Sequence, residues 1–171
     1  MHADVDWADL YRSVFPDLVR YLYRKVWDEE RANELAQEVF VRALRETPER
    51  PRAWLFTVAA NLARDEIRTV IRRKKHLTLL KGEMDAERPQ QEGPDRVLEA
   101  EERTRDVRGA LDALSERDRE ILLLWDAGLS YGEIAEQTGL AAGAVGTTLS
   151  RARKRLVEAW EQREDSDAAP L

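Results

Sequence analysis

Apolar side chains recur along most of this chain every three or four positions, the spacing of one buried face on an α-helix. From Asp6 to Trp27 they are Trp7, Leu10, Tyr11, Val14, Leu18, Leu22 and Val26. Pro16 interrupts them; it either kinks one helix or opens a second at its first turn, where a missing N–H costs little. Asp28 is placed to cap the next helix, whose buried stripe is Leu35, Ala36, Val39, Phe40, Ala43 and Leu44. The segment RETPERPR, 45–52, is a loop, and Pro51 opens a helix expected from about Arg52 to Lys75. Trp54, Leu55, Val58, Ala59, Leu62 and Ile71 suit its core face, whereas Asn61, Arg64, Asp65 and Arg68 fall toward the other side. Trp54 could stack on a base, but its spacing with Val58 and Leu62 places it in the core.

The periodicity fails over 77–94, where Gly, Pro and Gln mix with acidic residues, and this stretch reads as a flexible acidic linker. A second helical region starts near Asp95 with Val97, Leu98, Val107, Leu111 and Leu114. Ser115 with Asp118 resembles a helix cap, Ile121, Leu122, Leu124 and Trp125 pack, and Gly128 stops the helix. In SYGEIAEQTGLAAGAVGTTLSRARKRL, Ser130 to Leu156, Ser130 and Glu133 make a capping box and Gly139 supplies a sharp turn. Leu140, Val145 and Leu149 carry the next stripe, and Arg151, Arg153, Lys154 and Arg155 load its end with cations. That is the pattern of a helix-turn-helix whose second helix enters a DNA groove, although any compact helical hairpin shares the apolar spacing. The expected fold is all-α: two small helical domains, 1–76 and 95–162, joined by the linker, with a disordered tail at 163–171.

Charge changes this picture more than length does. The 171 residues carry a net charge of −6 and 36% charged residues. Between Glu83 and Glu102 there are eight acidic and two basic residues, a local balance equal to the charge of the whole chain. The remainder is neutral on average and includes two basic clusters, Arg72, Arg73, Lys74 and Lys75 and the one at 151–155. Cations at a helix end complement the macrodipole, but four in a row exceed that need and suit phosphates. The acidic stretch either solvates a disordered segment or lies as an anionic strand in a cationic groove of a partner. There is no cysteine, hence no disulfide or thiolate site, and Glu34 with Glu38 would have only His2 and His76 to complete a metal site. No apolar run reaches membrane-span length and no signal-peptide pattern opens the chain, so a cytoplasmic location is expected, with no membrane insertion.

Four stretches, in chain order, carry a resemblance. They are LYRSVFPDLVRYLYRKV, NELAQEVFVRAL, PRAWLFTVAANLARDEIRTVIRRKK, and ALSERDREILLLWDAGLSYGEIAEQTGL together with the segment on to Leu156. The chain resembles the extracytoplasmic-function group of the sigma-70 family, over roughly Leu10 to Trp160. The resemblance implies a non-enzymatic, cofactor-free subunit that binds core RNA polymerase and directs initiation at specific promoters. Glu34, Leu35, Gln37 and Glu38 would contact the clamp helices of the largest polymerase subunit, and the flap would be a further contact on the polymerase. The loop 46–52 with Arg50, Arg52, Asn61 and Arg64 would handle the melted downstream element, where unstacking a base costs a few kcal/mol. Arg68, Arg72, Arg73, Lys74 and Lys75 would follow phosphates. Ala144, Gly146, Thr147, Thr148, Arg151, Arg153, Lys154 and Arg155 would contact the upstream element. The linker would thread toward the active centre, and a cognate anti-sigma factor is an expected further partner.

One stretch departs from the family pattern. Gly146 and Thr148 stand where a Lys or Arg is usual, which leaves Thr147, Thr148 and Arg151 to read base edges, with more of the recognition carried by DNA shape. A stand-alone helix-turn-helix regulator is the competing reading, and residues 10 to 75 argue against it. An enzyme lacks residues for a site, and an adaptor that does not bind DNA leaves both basic clusters without a purpose.

Overall fold

The computed structural model describes residues 4–81 and 95–168, and among these all regular structure is helical. It divides into two compact units, at 1–86 and 87–171. The first is built from α1 (Trp7–Val26), α2 (Glu29–Ala43) and α3 (Pro51–Lys81). The second holds α4 (Asp95–Asp112), α5 (Glu116–Asp126), α6 (Tyr131–Thr138), a short 3-10 turn (Ala142–Ala144) and α7 (Val145–Ala168).

Pro16 lies inside α1, so the first stripe belongs to one helix rather than two. Asp6 caps it by accepting a bond from the Asp9 amide at 3.0 Å. The helix ends at Trp27, whose φ of 56° is unusual for a bulky residue; the turn is held by its amide on the Tyr23 carbonyl at 2.7 Å and by the Tyr23 ring. Val14, Leu18, Tyr21 and Leu22 meet Leu35, Ala36 and Val39 of α2 and Leu55, Phe56 and Leu62 of α3 in a dry core. Tyr21 sets its ring edge-on to Phe56 at 5.5 Å. Trp54 sits half-buried against Trp7, with ring centroids 6.3 Å apart.

The burial of α3 stops at Ala63, and from Ile71 onward every side chain is exposed. Ile71, expected in the core, is therefore at the surface, because no other helix of this unit reaches that far along α3. The helix also continues to Lys81, so 77–81 is helical where the composition predicts linker; Thr78 bonds back to the Lys74 carbonyl at 2.8 Å. The stretch 82–94, and with it most of the acidic linker, lies outside the described residues.

In the second unit Ala110, Leu111, Ile121 to Leu124, Leu129, Ile134, Val145, Leu149 and Ala152 form the core. Ser130 and Glu133 make the expected capping box, at 3.2 and 3.1 Å. Gly139 closes α6 with φ 72°, a conformation that costs a residue with a Cβ. The chain beyond 163 is helical as far as Ala168, not disordered. Its anchor is Arg163, whose guanidinium lies against Gly109 of α4, where any Cβ would collide, and pairs with Asp106 at 3.8 Å. Trp160 adds an indole N–H bond to Glu164 at 3.0 Å.

Candidate nucleic-acid and polymerase interface

A helix turns by about 100° per residue, so residues three and four apart share a face. On α3 this brings Asn61, Arg64, Arg68, Arg72 and Lys75 into one line, and all five are exposed. None of them forms an ion pair among the described residues. From Ile67 to Lys81 there is no acidic residue, so the field of this face is uniformly positive along about 20 Å of helix. Arg73 and Lys74 project to other sides of the same helix end, and the charge of Arg73 reaches Glu66. Arg50 and Arg52 stand at the entry to α3, Arg50 exposed and Arg52 half-buried, and the Arg50 carbonyl accepts the Trp54 amide at 3.0 Å.

On α2 the candidate contacts separate. Leu35 is fully buried and belongs to the core, because it lies on the α1-facing stripe with Ala32 and Val39, so its side chain is not a surface contact. Glu34 and Gln37 are exposed and Glu38 is half-exposed, with Glu34 bound to Arg31 at 2.8 Å and Glu38 to Arg42 at 2.7 Å. The same face carries two apolar residues, Val41 at 60% exposure and Leu44 at 71%. The apolar spacing predicts Leu44 in the core; instead it caps α2 at the start of the loop, past the last helix contact. An apolar pair rimmed by carboxylates is the anatomy of a protein-docking surface.

Arg31 ties this face to α3. Its Nε and one terminal nitrogen meet the two Glu66 oxygens at 2.9 Å each, a bidentate bridge, while the other terminal nitrogen takes Glu34. The bonds from Arg31 hold the Glu66 carboxyl below its usual range, and the two carboxylates push Arg31 above its own. A pair 35 residues apart has no local sequence signal.

On α7 the eight expected upstream contacts do not share one face. Val145, Leu149 and Ala152 are buried. Opposite them run Thr147, Arg151 and Lys154, together with Ser150, which no DNA-binding motif singles out although it sits three residues from Thr147, while Ala144 lies half-buried in the 3-10 turn before the helix. Thr148 turns its hydroxyl back to the Ala144 carbonyl at 2.8 Å. Arg153 lies over the Trp125 ring at 5.3 Å, and Trp125 stacks at a tilt on Tyr131 at 5.4 Å. Gly146 faces Tyr131, and a Cβ there would meet the ring at 3.4 Å. Arg155 bonds Asp118 of α5 at 2.6 Å. Among the described residues no group of His, Cys, Asp or Glu could hold a metal ion, and no helix is long and apolar enough to cross a membrane.

Known proteins match both units. Residues 10–73 fit the family description "Sigma-70 region 2" and residues 104–156 fit "Sigma-70, region 4". The chain is 30% identical to the RNA polymerase sigma factor YlaC of Bacillus subtilis, over 86% of this chain and 88% of that one. It is 33% identical to the ECF RNA polymerase sigma factor EcfG of Rhodopseudomonas palustris, over 84% and 79%. Among solved structures it is similar to the sigma factor RpoE of Bartonella quintana, captured with the anti-sigma factor NepR, at a TM-score of 0.61 and 27% identity, covering 91% of this chain and 97% of that one. Two helical units matching regions 2 and 4 in order, with relatives that span both, establish that this chain belongs to the extracytoplasmic-function group of the sigma-70 family and is an alternative sigma factor directing transcription initiation.

Proposed function

We propose a division of labour for this sigma factor in which the region 2 unit supplies most of the promoter specificity. Asn61 and Arg64, with Arg50 and Arg52 at the mouth of α3, hold a base taken out of the melted downstream strand. Hydrogen bonds and stacking there offset an unstacking cost of a few kcal/mol. Arg68, Arg72 and Lys75 continue the same line along the phosphates, with Arg73 and Lys74 adding charge from the flanks. The observation that carries this reading is the alignment of Asn61 with four unpaired cations on a helix face that no other element of the unit covers. Glu34, Gln37 and Glu38, with Val41 and Leu44, dock on the clamp helices of core polymerase. The outward face of α7 meets the upstream element, and region 4 meets the flap.

An anti-sigma factor is the further partner we assign, as the Bartonella relative has one. The helix-turn-helix could serve a stand-alone regulator, but such a protein has no use for a region 2 unit. Run-off transcription with core polymerase tests the proposal. The wild-type chain initiates from its promoter, and Asn61→Ala lowers initiation by on the order of tenfold, the scale of one lost base contact. Equal initiation by the two proteins would refute the assignment of Asn61.

A further inference from the structure

The basic cluster of the recognition helix, 151–155, holds four cations, and their surroundings differ. Arg151 and Lys154 stand on the outward face and make no ion pair among the described residues. Arg153 is laid over Trp125. Arg155 reaches sideways to α5, where its Nη1 donates to Asp118 Oδ2 at 2.6 Å. Asp118 is the one buried charged residue among the described positions, at 5% exposure. A buried carboxylate is costly unless it is paired and hydrogen-bonded. Its backbone amide is already given to the Ser115 hydroxyl at 3.1 Å, which caps α5, and the carboxylate sits in the first turn, where the helix dipole favours it. Ser115 and Asp118 thus do not form a reciprocal capping box. The carboxylate turns to α7 and takes the Arg155 guanidinium.

We propose that Arg155 is a positioning residue. It fixes the recognition helix to the capped first turn of α5, and phosphate contact along α7 falls to Arg151 and Lys154. The inference rests on the reading of α7 as the upstream-element helix. In a run of cations such as RARKR, sequence alone assigns every member to DNA. Here the turn of the helix divides them: 151 and 154 point away from the core, 155 reaches the first turn of α5 at Asp118, and 153 reaches the last turn of α5 at Trp125.

Salt dependence separates positioning from phosphate contact, because each phosphate neutralised contributes roughly 0.9 to the slope of log affinity against log salt. The full chain is assembled with core polymerase and titrated on one duplex promoter fragment across a salt series. Arg151→Ala and Lys154→Ala each lower the slope by about 0.9. Arg155→Gln and Asp118→Asn each weaken binding at least about threefold with the slope unchanged, and the double variant is no weaker than the worse single, as expected of partners in one interaction. Arg155→Lys, which keeps a donor, recovers part of the loss.

Asp118→Asn decides by sign. If Arg155 served phosphates, releasing it from Asp118 would tighten binding or leave it unchanged, and Arg155→Gln would lower the slope; either result overturns the proposal. Should Arg155→Gln fail to fold, as a thermal melt would reveal, Asp118→Asn still carries the test. Loss of slope in none of the variants, Arg151→Ala and Lys154→Ala included, would overturn the reading of α7 itself rather than the role of Arg155 alone.

Discussion

The two helical units spend their polar residues differently. In the region 2 unit, packing ends at Ala63 and α3 continues alone, so Asn61, Arg64, Arg68, Arg72 and Lys75 remain available to a ligand. In the region 4 unit the candidate DNA residues are partly consumed by the fold: Arg155 on Asp118, Arg153 on Trp125, Thr148 on its own backbone. A small core leans on polar ties for its geometry, and those ties are drawn from the same side chains that a motif assigns to DNA. A long helix that outruns its core is free of that competition.

The contrast can be broken most sharply through charge. Replacing Arg72, Arg73, Lys74 and Lys75 together by Ala should flatten the salt dependence of promoter binding by a slope of about 3–4, roughly a 100-fold difference in response between 50 and 200 mM salt. Replacing Arg151, Arg153, Lys154 and Arg155 of α7 should lower it by only about 2, since two of these are engaged internally. Equal losses from both helices, read from salt titrations, would erase the distinction.

The next effect concerns α2. Leu35→Ala should destabilise the region 2 unit by about 2–5 kcal/mol, as expected for a buried leucine. Gln37→Ala should leave stability within about 0.5 kcal/mol and weaken polymerase binding. Denaturant unfolding beside a polymerase pull-down measures both. In the region 4 unit, Ser130→Ala removes half of a reciprocal cap and should cost about 1 kcal/mol, visible as a lowered melting temperature.

The smallest effect is on pH. Glu66 is held below its usual carboxyl range by Arg31, so the bridge contributes fully above the unfolded carboxyl value of about 4.3 and is lost as pH falls through the lower folded value. Because Arg31 is partly exposed, the contribution is no more than about 1 kcal/mol. Melts of the wild type should therefore lose more stability below about pH 4.3 than those of Glu66→Gln. Parallel pH profiles would place the stabilisation elsewhere.

Most of the helices are legible in the sequence because caps and stripes are local. Asp28, Ser115, Ser130 and Gly139 mark helix ends by bonds within three or four residues, and each is where the pattern puts it. What the pattern misses is decided at a distance. Nothing near Ile71 or Leu44 tells that no helix will cover them, and nothing near Arg163 announces Gly109 and Asp106, which keep the last helix intact. The line from Asn61 to Lys75 can be read from spacing alone, since a helix face is a local property. The internal ties of Arg153 and Arg155 cannot, because their partners lie on another helix.

The central claim, that specificity rests more on Asn61 and its neighbours than on the recognition helix, has one direct measurement. Randomised promoter fragments are selected by polymerase carrying the wild-type chain, Asn61→Ala or Thr147→Ala, and then sequenced. Asn61→Ala is predicted to relax the downstream positions strongly and leave the upstream ones intact, while Thr147→Ala relaxes the upstream positions more weakly. A downstream preference unchanged in Asn61→Ala, or a larger loss of selectivity from Thr147→Ala, would contradict it.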